Sequence, residues 1–222
     1  MTQHLVQVID AESFSAATSV SRETMARLLT YEALLRKWQG SINLVASSSL
    51  AEIWNRHFLD SAQLVPLAPT ARSWVDIGSG AGFPGLVVAI LLAGRAGFRM
   101  HLVESDQKKS VFMREVIRAT GAPAIVHMMR IEEFWTGGEV ASPDIISARA
   151  LAPLPRLLDW TSSFWGKDTI GLFLKGQGAA AELTESAKNW IFDSEAIASQ
   201  SDPSGTVLKL WGLRHANTGL ER

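Results

Sequence analysis

The 222-residue chain contains no cysteine, little net charge and no long apolar run. The absence of cysteine excludes disulfides, thiolate metal sites and cysteine nucleophiles, and it fits a reducing compartment. A net charge of −1 gives no sign of general affinity for nucleic acid. The longest apolar run, residues 85–94, is far shorter than the roughly 20 residues of a membrane span. The N-terminus shows no signal peptide and the histidines show no metal-ligand spacing, so we expect a cytoplasmic protein without metal or membrane.

The order of apolar residues predicts an α/β fold. Apolar residues make up 47% of the chain, enough for a sizeable core. Residues 21–42 and 47–65 have helical spacing, and Ser49 and Glu52 have the spacing of a capping box. From Ser73 onward, seven short strands alternate with helices, which predicts a mostly parallel sheet. The last two strands have no helix between them, so one of them should run antiparallel.

The chain therefore divides into two predicted parts. We expect a helical extension over residues 1–70 and a Rossmann-like domain over residues 71–222 that forms one compact unit with a mostly parallel, seven-stranded sheet. No internal repeat or linker interrupts either part.

The segment VDIGSGAGFPG, residues 75–85, lets a ligand approach bare backbone and admits two interpretations. It contains G-x-G-x-x-G from Gly80 onward, and Glu104 follows at the distance expected in a dinucleotide site. It also contains D-x-G-x-G-x-G from Asp76 onward, the first motif of methyltransferases that use S-adenosylmethionine. In that case Asp76 would meet the positive charge of the ligand, directly or through water. Glu104 would bind ribose hydroxyls in both cases, while Asp76 and Pro84 favour the methyl donor.

Three motifs occur in a specific order: R-H-F-L-D-S at residues 56–61, G-A-G-F-P-G at residues 80–85 and A-R-A at residues 148–150. With their flanking residues they resemble the bacterial small-subunit ribosomal RNA guanine-N7 methyltransferases, also called the glucose-inhibited division protein B family. The resemblance covers about residues 25–180, and it depends on the combination because no single motif is specific. The matching segments are residues 34–64, 74–90, 101–116, 146–160 and 172–177.

The resemblance implies a class I S-adenosylmethionine-dependent methyltransferase. Its expected acceptor is N7 of one guanine of 16S ribosomal RNA, guanine 527 in the usual numbering of that RNA. The expected partner is 16S rRNA, free or within an assembled or partly assembled small ribosomal subunit, and we expect the enzyme to be a monomer. A small-molecule methyltransferase of the same fold and an NAD-dependent oxidoreductase remain alternatives.

The predicted cofactor site combines the glycine pattern with positions carried over from the family. The resemblance implies that Gly78 and Phe83 lie at the cofactor loop, that Ile131 and Glu132 read the adenine, and that Arg149 lies beside the cofactor. Arg149 is also the candidate for a role in positioning the reactants. The complete predicted set is Asp76, Gly78, Gly80, Phe83, Glu104, Ile131, Glu132 and Arg149.

The chemistry of N7 agrees with the absence of an obvious acid–base group. This nitrogen carries a free lone pair, so the enzyme needs no general base, and positioning alone contributes roughly 7–11 kcal/mol in favourable cases. Methylation of C5 in pyrimidines usually uses a cysteine, and methylation of exocyclic amines commonly uses an Asn/Asp-Pro-Pro-aromatic turn. The chain has no cysteine, and residues 147–155, SARALAPLP, contain no such turn.

Basic side chains are the expected contacts for RNA phosphates. A flipped base would stack on Phe83 or Arg149, although Phe83 is equally suited to lining the cofactor pocket. Lys175 either reaches the substrate or closes the edge of the sheet. The candidate RNA-binding residues are Arg56, Lys108, Lys109, Arg114, Arg118, Arg156 and Lys175.

Overall fold

The computed structural model describes residues 8–136, 138 and 140–216, and a seven-stranded sheet runs through its centre. The strand order is β3-β2-β1-β4-β5-β7-β6. The first five strands are parallel, whereas β7 is antiparallel to both of its neighbours, which confirms the predicted fold. The strands are β1 (Ser73–Ile77), β2 (Arg99–Val103), β3 (Ala124–His127), β4 (Ile145–Arg149), β5 (Ile170–Lys175), β6 (Trp190–Ala198) and β7 (Thr206–His215).

Helices precede the sheet and connect its strands. Ser21 caps α2 by accepting a hydrogen bond from the backbone N–H of Thr24 at 3.1 Å, and Asp106 caps α5 in the same way. Within the described residues, no helix is long and apolar enough to cross a membrane. The helices are α1 (Ala11–Thr18), α2 (Arg22–Gln39), α3 (Asp60–Ala62), α4 (Gly85–Leu91), α5 (Gln107–Thr120), α6 (Ile131–Thr136), α7 (Leu154–Thr161) and α8 (Ala179–Ser186).

A π-helical segment, Trp54–Leu59, leads directly into α3, and its start differs from the prediction. The predicted capping box at Ser49 and Glu52 is wrong, because no side chain caps the π-helical segment. Ser49 instead ends a 3-10 turn, and its buried hydroxyl donates to the carbonyl of Ala46 at 2.7 Å. The same hydroxyl lies 2.8 Å from Nε2 of His57. Its hydrogen bonds therefore go to Ala46 and His57, and it does not cap a helix.

The N-terminal helices reach the glycine loop through an aromatic cluster. The side chains of Phe14, Tyr31 and Phe58 are fully buried, and each such burial contributes roughly 1.5–3 kcal/mol. Tyr31 donates a hydrogen bond to the carbonyl of Ala81 at 2.6 Å, and its ring stacks on Phe83 at 5.2 Å. One hydrophobic cluster thus includes residues on both sides of position 70. The division into two parts at that position stays a prediction.

Candidate functional site

A cavity of about 1190 Å³ opens at the carboxyl ends of β1, β2, β4 and β5, the edge where ligands bind in parallel α/β sheets. The π-helical segment walls one side of it, and the turn between β6 and β7 lies on another. The cavity brings together seven of the eight predicted cofactor residues: Gly78, Gly80, Phe83, Glu104, Ile131, Glu132 and Arg149. Asp76 is the exception, because its side chain is fully buried.

The glycine loop depends on backbone conformations that side chains disfavour. Gly78, Gly80 and Gly82 have φ angles of 63°, 57° and 96°, in the region that only glycine adopts without strain. A Cβ on Gly80 would meet no atom closer than the Gly78 carbonyl oxygen at 3.9 Å. At Gly80 the loop therefore presents open backbone to the cavity, whereas a Cβ on Gly78 or Gly82 would collide with Leu151 or Leu86.

Glu104 holds this loop against the end of β2. One carboxylate oxygen accepts a hydrogen bond from the backbone N–H of Gly80 at 2.8 Å. The other oxygen accepts from the N–H of Asp106, the residue that caps α5, also at 2.8 Å. Because it is only partly buried and lines the cavity, Glu104 can accept further hydrogen bonds from a ligand.

Asp76 occupies a different position from the one expected. Its carboxylate lies beneath the loop, where it accepts hydrogen bonds from the Ser147 hydroxyl at 2.7 Å and the Gly85 backbone N–H at 3.2 Å. Burial raises its pKa to about 6, against the opposing effect of these hydrogen bonds. Asp76 therefore ties β1 to β4 and to the start of α4, and its buried side chain does not line the cavity.

The pKa of Asp76 predicts a pH-dependent stability difference between the wild type and an Asp76→Asn variant. The folded pKa lies above the ordinary value of 3.8, so the stabilisation is complete below that value and is lost as the pH rises through 6. On going from about pH 7.5 to about pH 5, the wild type should gain about 1–2 kcal/mol relative to the variant. Urea unfolding of both proteins at both pH values measures this, and an unchanged difference would contradict it.

Arg149 lies at the end of β4 and joins the strand to the π-helical segment. Its Nη1 donates to the carbonyl of Arg56 at 2.9 Å and to the Asp60 carboxylate at 3.3 Å. Its Nη2 lies 2.8 Å from Nδ1 of His57. The guanidinium carbon lies 5.1 Å from the centre of the Phe83 ring, a cation–π distance. The cation is thus held on several sides while its side chain remains 17% exposed.

Phe83 is packed more tightly than an RNA-stacking residue would need to be. Only 3% of its surface is exposed, because the rings of Tyr31, His57 and Phe58 surround it within 5.6 Å. It is therefore positioned as a wall of the cavity instead of an open stacking platform.

The basic candidates for RNA binding separate into three groups. Arg56, Lys109 and Arg156 line the cavity, and the guanidinium of Arg156 lies 4.7 Å from the centre of the Trp160 ring. Three exposed residues on α5 lie outside the cavity lining: Lys108, Arg114 and Arg118. Of these, Arg114 donates to the carbonyl of Val126, and Arg118 pairs with Glu115.

Lys175 forms the third group, because it also lines the cavity but its ammonium is bound by protein atoms. It donates to the carbonyl of Ala152 at 2.7 Å and pairs with Glu182 at 2.8 Å, with 8% of its side chain exposed. Glu182 also accepts from the backbone N–H of Leu154, at the start of α7. Of its two predicted roles, closure of the sheet edge fits this geometry.

A Lys175→Met variant should therefore lose stability and not RNA affinity. Removing the lysine leaves the Ala152 carbonyl and the Glu182 carboxylate without this partner, at a cost of about 2 kcal/mol. A Lys175→Met/Glu182→Gln double variant should recover part of the loss. Urea unfolding checks the stability, and filter binding of RNA checks the affinity. Reduced affinity in a variant of normal stability would return Lys175 to the substrate surface.

The predicted set of site residues does not include His57, Asp60 or Tyr31, and the sequence left the role of His57 open. The R-H-F-L-D-S motif contains the signal for the first two, but only the structure shows that they contact Arg149. Tyr31 lies in an ordinary helical pattern and gives no signal of its contact with the loop. In the part of the chain that the structure describes, no three His, Asp or Glu side chains form a potential metal site.

Sequence comparisons link the chain to one family over most of its length. The family model described as "rRNA small subunit methyltransferase G" matches residues 24–204. A protein of that name from Parvibaculum lavamentivorans is 65% identical over 218 residues, which are 96% of each chain. Another from Rhodospirillum centenum is 52% identical over 201 residues, 90% of this chain and 89% of the relative.

Solved structures of other methyltransferases have a similar fold. An O-methyltransferase from Bacillus cereus, solved in complex with SAH, is similar over 91% of this chain and 100% of its own. The TM-score is 0.57 at 14% identity. This likeness concerns the fold, and it agrees with the predicted class I methyltransferase architecture.

Proposed function

The chain belongs to the rRNA small subunit methyltransferase G family, and from this premise we propose that it methylates N7 of one guanine. Family membership makes it an S-adenosylmethionine-dependent 16S rRNA methyltransferase. What we propose beyond this is the methylated atom, N7, and the target guanine expected from the sequence resemblance. The observation that carries the proposal is a glycine loop that opens its backbone to a cavity with basic residues around it.

The residues around the loop fit the methyl donor. When bound, S-adenosylmethionine supplies a methyl group on a positively charged sulfonium. The open backbone at Gly80 suits the methionine part of the donor, and the acceptor oxygens of Glu104 suit ribose hydroxyls. Ile131 and Glu132, at the start of α6, line the part of the cavity nearest β3 and suit the adenine. Asp76 contributes by supporting the loop from below.

The choice of N7 follows from what the acceptor requires. Its lone pair is free at neutral pH, so the protein needs to align this nitrogen with the methyl group and to remove no proton. His57 is unsuited to act as a base, because burial and the nearby Arg149 and Arg56 lower its pKa to about 3. The absence of cysteine disfavours attack through a cysteine adduct at C5 of a pyrimidine.

Basic residues at the cavity are the proposed contacts for the RNA backbone. Because Arg56, Lys109 and Arg156 line the cavity, phosphates beside the target base are their proposed ligands. Arg156 with Trp160 also offers a flat surface for an unstacked neighbouring base. The proposed acceptor is 16S rRNA within an assembled or partly assembled small subunit, the proposed acting form is a monomer, and the proposed place of action is the cytoplasm.

Transfer of a labelled methyl group tests the function. Purified protein is incubated with methyl-labelled S-adenosylmethionine and, separately, small ribosomal subunits, deproteinised 16S rRNA and guanosine monophosphate. We expect label in 7-methylguanosine after digestion of the RNA. Label in the free nucleotide alone would favour a small-molecule methyltransferase, and label on another atom of the RNA would overturn the N7 proposal. A thermal shift with NAD and none with S-adenosylmethionine would favour an oxidoreductase.

A further inference from the structure

The buried ring of His57 contacts a charged side chain on one side and a hydroxyl on the other. Nδ1 lies 2.8 Å from Nη2 of Arg149, and Nε2 lies 2.8 Å from the Ser49 hydroxyl. Only 8% of the residue is exposed. It thus links the π-helical segment to β4, directly beside the cavity that both residues line.

The identity of the partners fixes the protonation of this ring. A guanidinium can only donate, so Nδ1 must accept from Arg149 and carry no proton. Nε2 then carries the proton and donates to Ser49, whose hydroxyl donates onward to the Ala46 carbonyl. The lowered pKa of His57, caused first by burial and then by Arg149 and Arg56, keeps the ring neutral.

The contacts of Arg149 leave part of its guanidinium available to a ligand. Three hydrogen bonds engage both N–H groups of Nη1 and one of Nη2. Of the five N–H donors in an arginine, Nε–H and one N–H of Nη2 have no acceptor among residues 8–136, 138 and 140–216. Two such donors on one guanidinium are suited to bidentate binding of a carboxylate or phosphate.

The order of the strands indicates which ligand group reaches Arg149. Along the sheet, α6 follows β3, Glu104 follows β2, the glycine loop follows β1, and Arg149 ends β4. A donor with its adenine near α6 and its ribose at Glu104 therefore extends its methionine end toward β4. The carboxylate is the anionic group of that end.

We propose that His57 is a positioning residue, which orients the guanidinium of Arg149 to receive the carboxylate of S-adenosylmethionine. This inference rests on the proposed function, because it assumes the same donor in the same cavity. Arg56 and Asp60 fix one nitrogen of the guanidinium, Nη1, and His57 fixes the second. Without the third contact the group can rotate away from the orientation that the ligand needs.

Two substitutions separate the roles of the two ring nitrogens. In His57→Asn the amide oxygen can occupy the place of Nδ1 and still accept from Arg149. In His57→Gln the longer amide reaches the place of Nε2 and leaves Arg149 without this acceptor. Both variants lose the ring, so the asparagine variant is the matched control for lost packing.

Calorimetric binding of two ligands tests the proposal without requiring activity. Decarboxylated S-adenosylmethionine keeps the adenosine, the sulfonium and the amine but lacks the carboxylate. His57→Gln should bind S-adenosylmethionine about tenfold more weakly than the wild type, the effect of one hydrogen bond to a charged group. It should bind the decarboxylated ligand within about twofold of the wild type, and His57→Asn should retain most of the affinity for both. An equal loss for both ligands, equal behaviour of the two variants, or no loss would overturn the proposal.

A measurement on the wild-type protein tests the contact between His57 and Arg149 even if a variant does not fold. Nitrogen-15 chemical shifts of the His57 ring should show the neutral Nε2–H tautomer between about pH 5 and about pH 8. A ring that gains a proton near the ordinary pKa of 6.5 would mean that the contact with Arg149 is absent. Methyl transfer to rRNA by the wild type is measured in parallel. Its absence would refute the proposed function, whereas its presence with an unselective His57→Gln variant would refute only the role of His57.

Discussion

Replacing Gly80 by aspartate should weaken S-adenosylmethionine binding by at least about a hundredfold, or about 2.7 kcal/mol, and leave the fold intact. The substitution places a carboxylate at the open part of the loop, beside Glu104, whose oxygen accepts from the Gly80 backbone at 2.8 Å. A second negative charge repels Glu104, and the new side chain occupies the space into which the loop opens. The positive φ of 57° adds local strain. Isothermal titration calorimetry measures the affinity.

The matched control is Gly97→Asp. Gly97 also has a positive φ, 75°, and no atom lies within 4 Å of its Cβ position, but it is exposed in the turn before β2. The two variants should therefore lose similar stability, and only Gly80→Asp should lose the ligand. Normal affinity in Gly80→Asp, or equal losses of affinity in both, would show that the donor does not lie against this loop.

An Arg149→Ala variant should lose methyl transfer to 16S rRNA by about a hundredfold in kcat/KM. The cation lies where β4, the π-helical segment and the Phe83 ring meet at the cavity, so its loss removes both a ligand donor and the group that aligns this wall. Positioning effects of this kind are large because misalignment lowers the rate steeply. Labelled methyl transfer over a range of donor and RNA concentrations gives both kinetic constants.

The Arg149→Ala variant should remain folded, so its loss of methyl transfer is not a result of unfolding. Asp60 keeps hydrogen bonds from Gln63 and Ser201 when the arginine is absent, so its carboxylate retains partners. Arg27→Ala, which removes an exposed ion pair with Glu23 on α2, is the control and should transfer methyl groups normally. Wild-type turnover in Arg149→Ala would remove this residue from the site.

Local patterns predicted the sheet because each of its seven strands has its own apolar signal. The alternation of strands and helices predicted the parallel sheet. The absence of a helix between the last two strands predicted that one of them is antiparallel, and this strand is β7, the neighbour of β5. The D-x-G-x-G-x-G pattern predicted the loop, because backbone positions with positive φ angles are usually occupied by glycine. The spacing of Glu104 from that loop singled it out, and its contact with ribose stays a prediction.

The remaining parts of the site depend on contacts between distant residues. Asp76 is buried against Ser147, 71 residues away, so its pattern could not show that the carboxylate turns inward. Lys175 points to Glu182 and Ala152, and only the packing of α8 on α7 brings them together. Ser49 was assigned to a cap from its spacing, yet tertiary contact with His57 determines its hydrogen bonds.

Mass spectrometry of 16S rRNA from cells that lack this protein tests the central claim most directly. The account predicts that one 7-methylguanine is lost from the RNA, returns when the wild-type protein is supplied, and stays absent when Gly80→Asp is supplied. An unchanged set of 7-methylguanines, or loss of a methyl group from a different atom, would contradict the assignment of this cavity to guanine-N7 methylation.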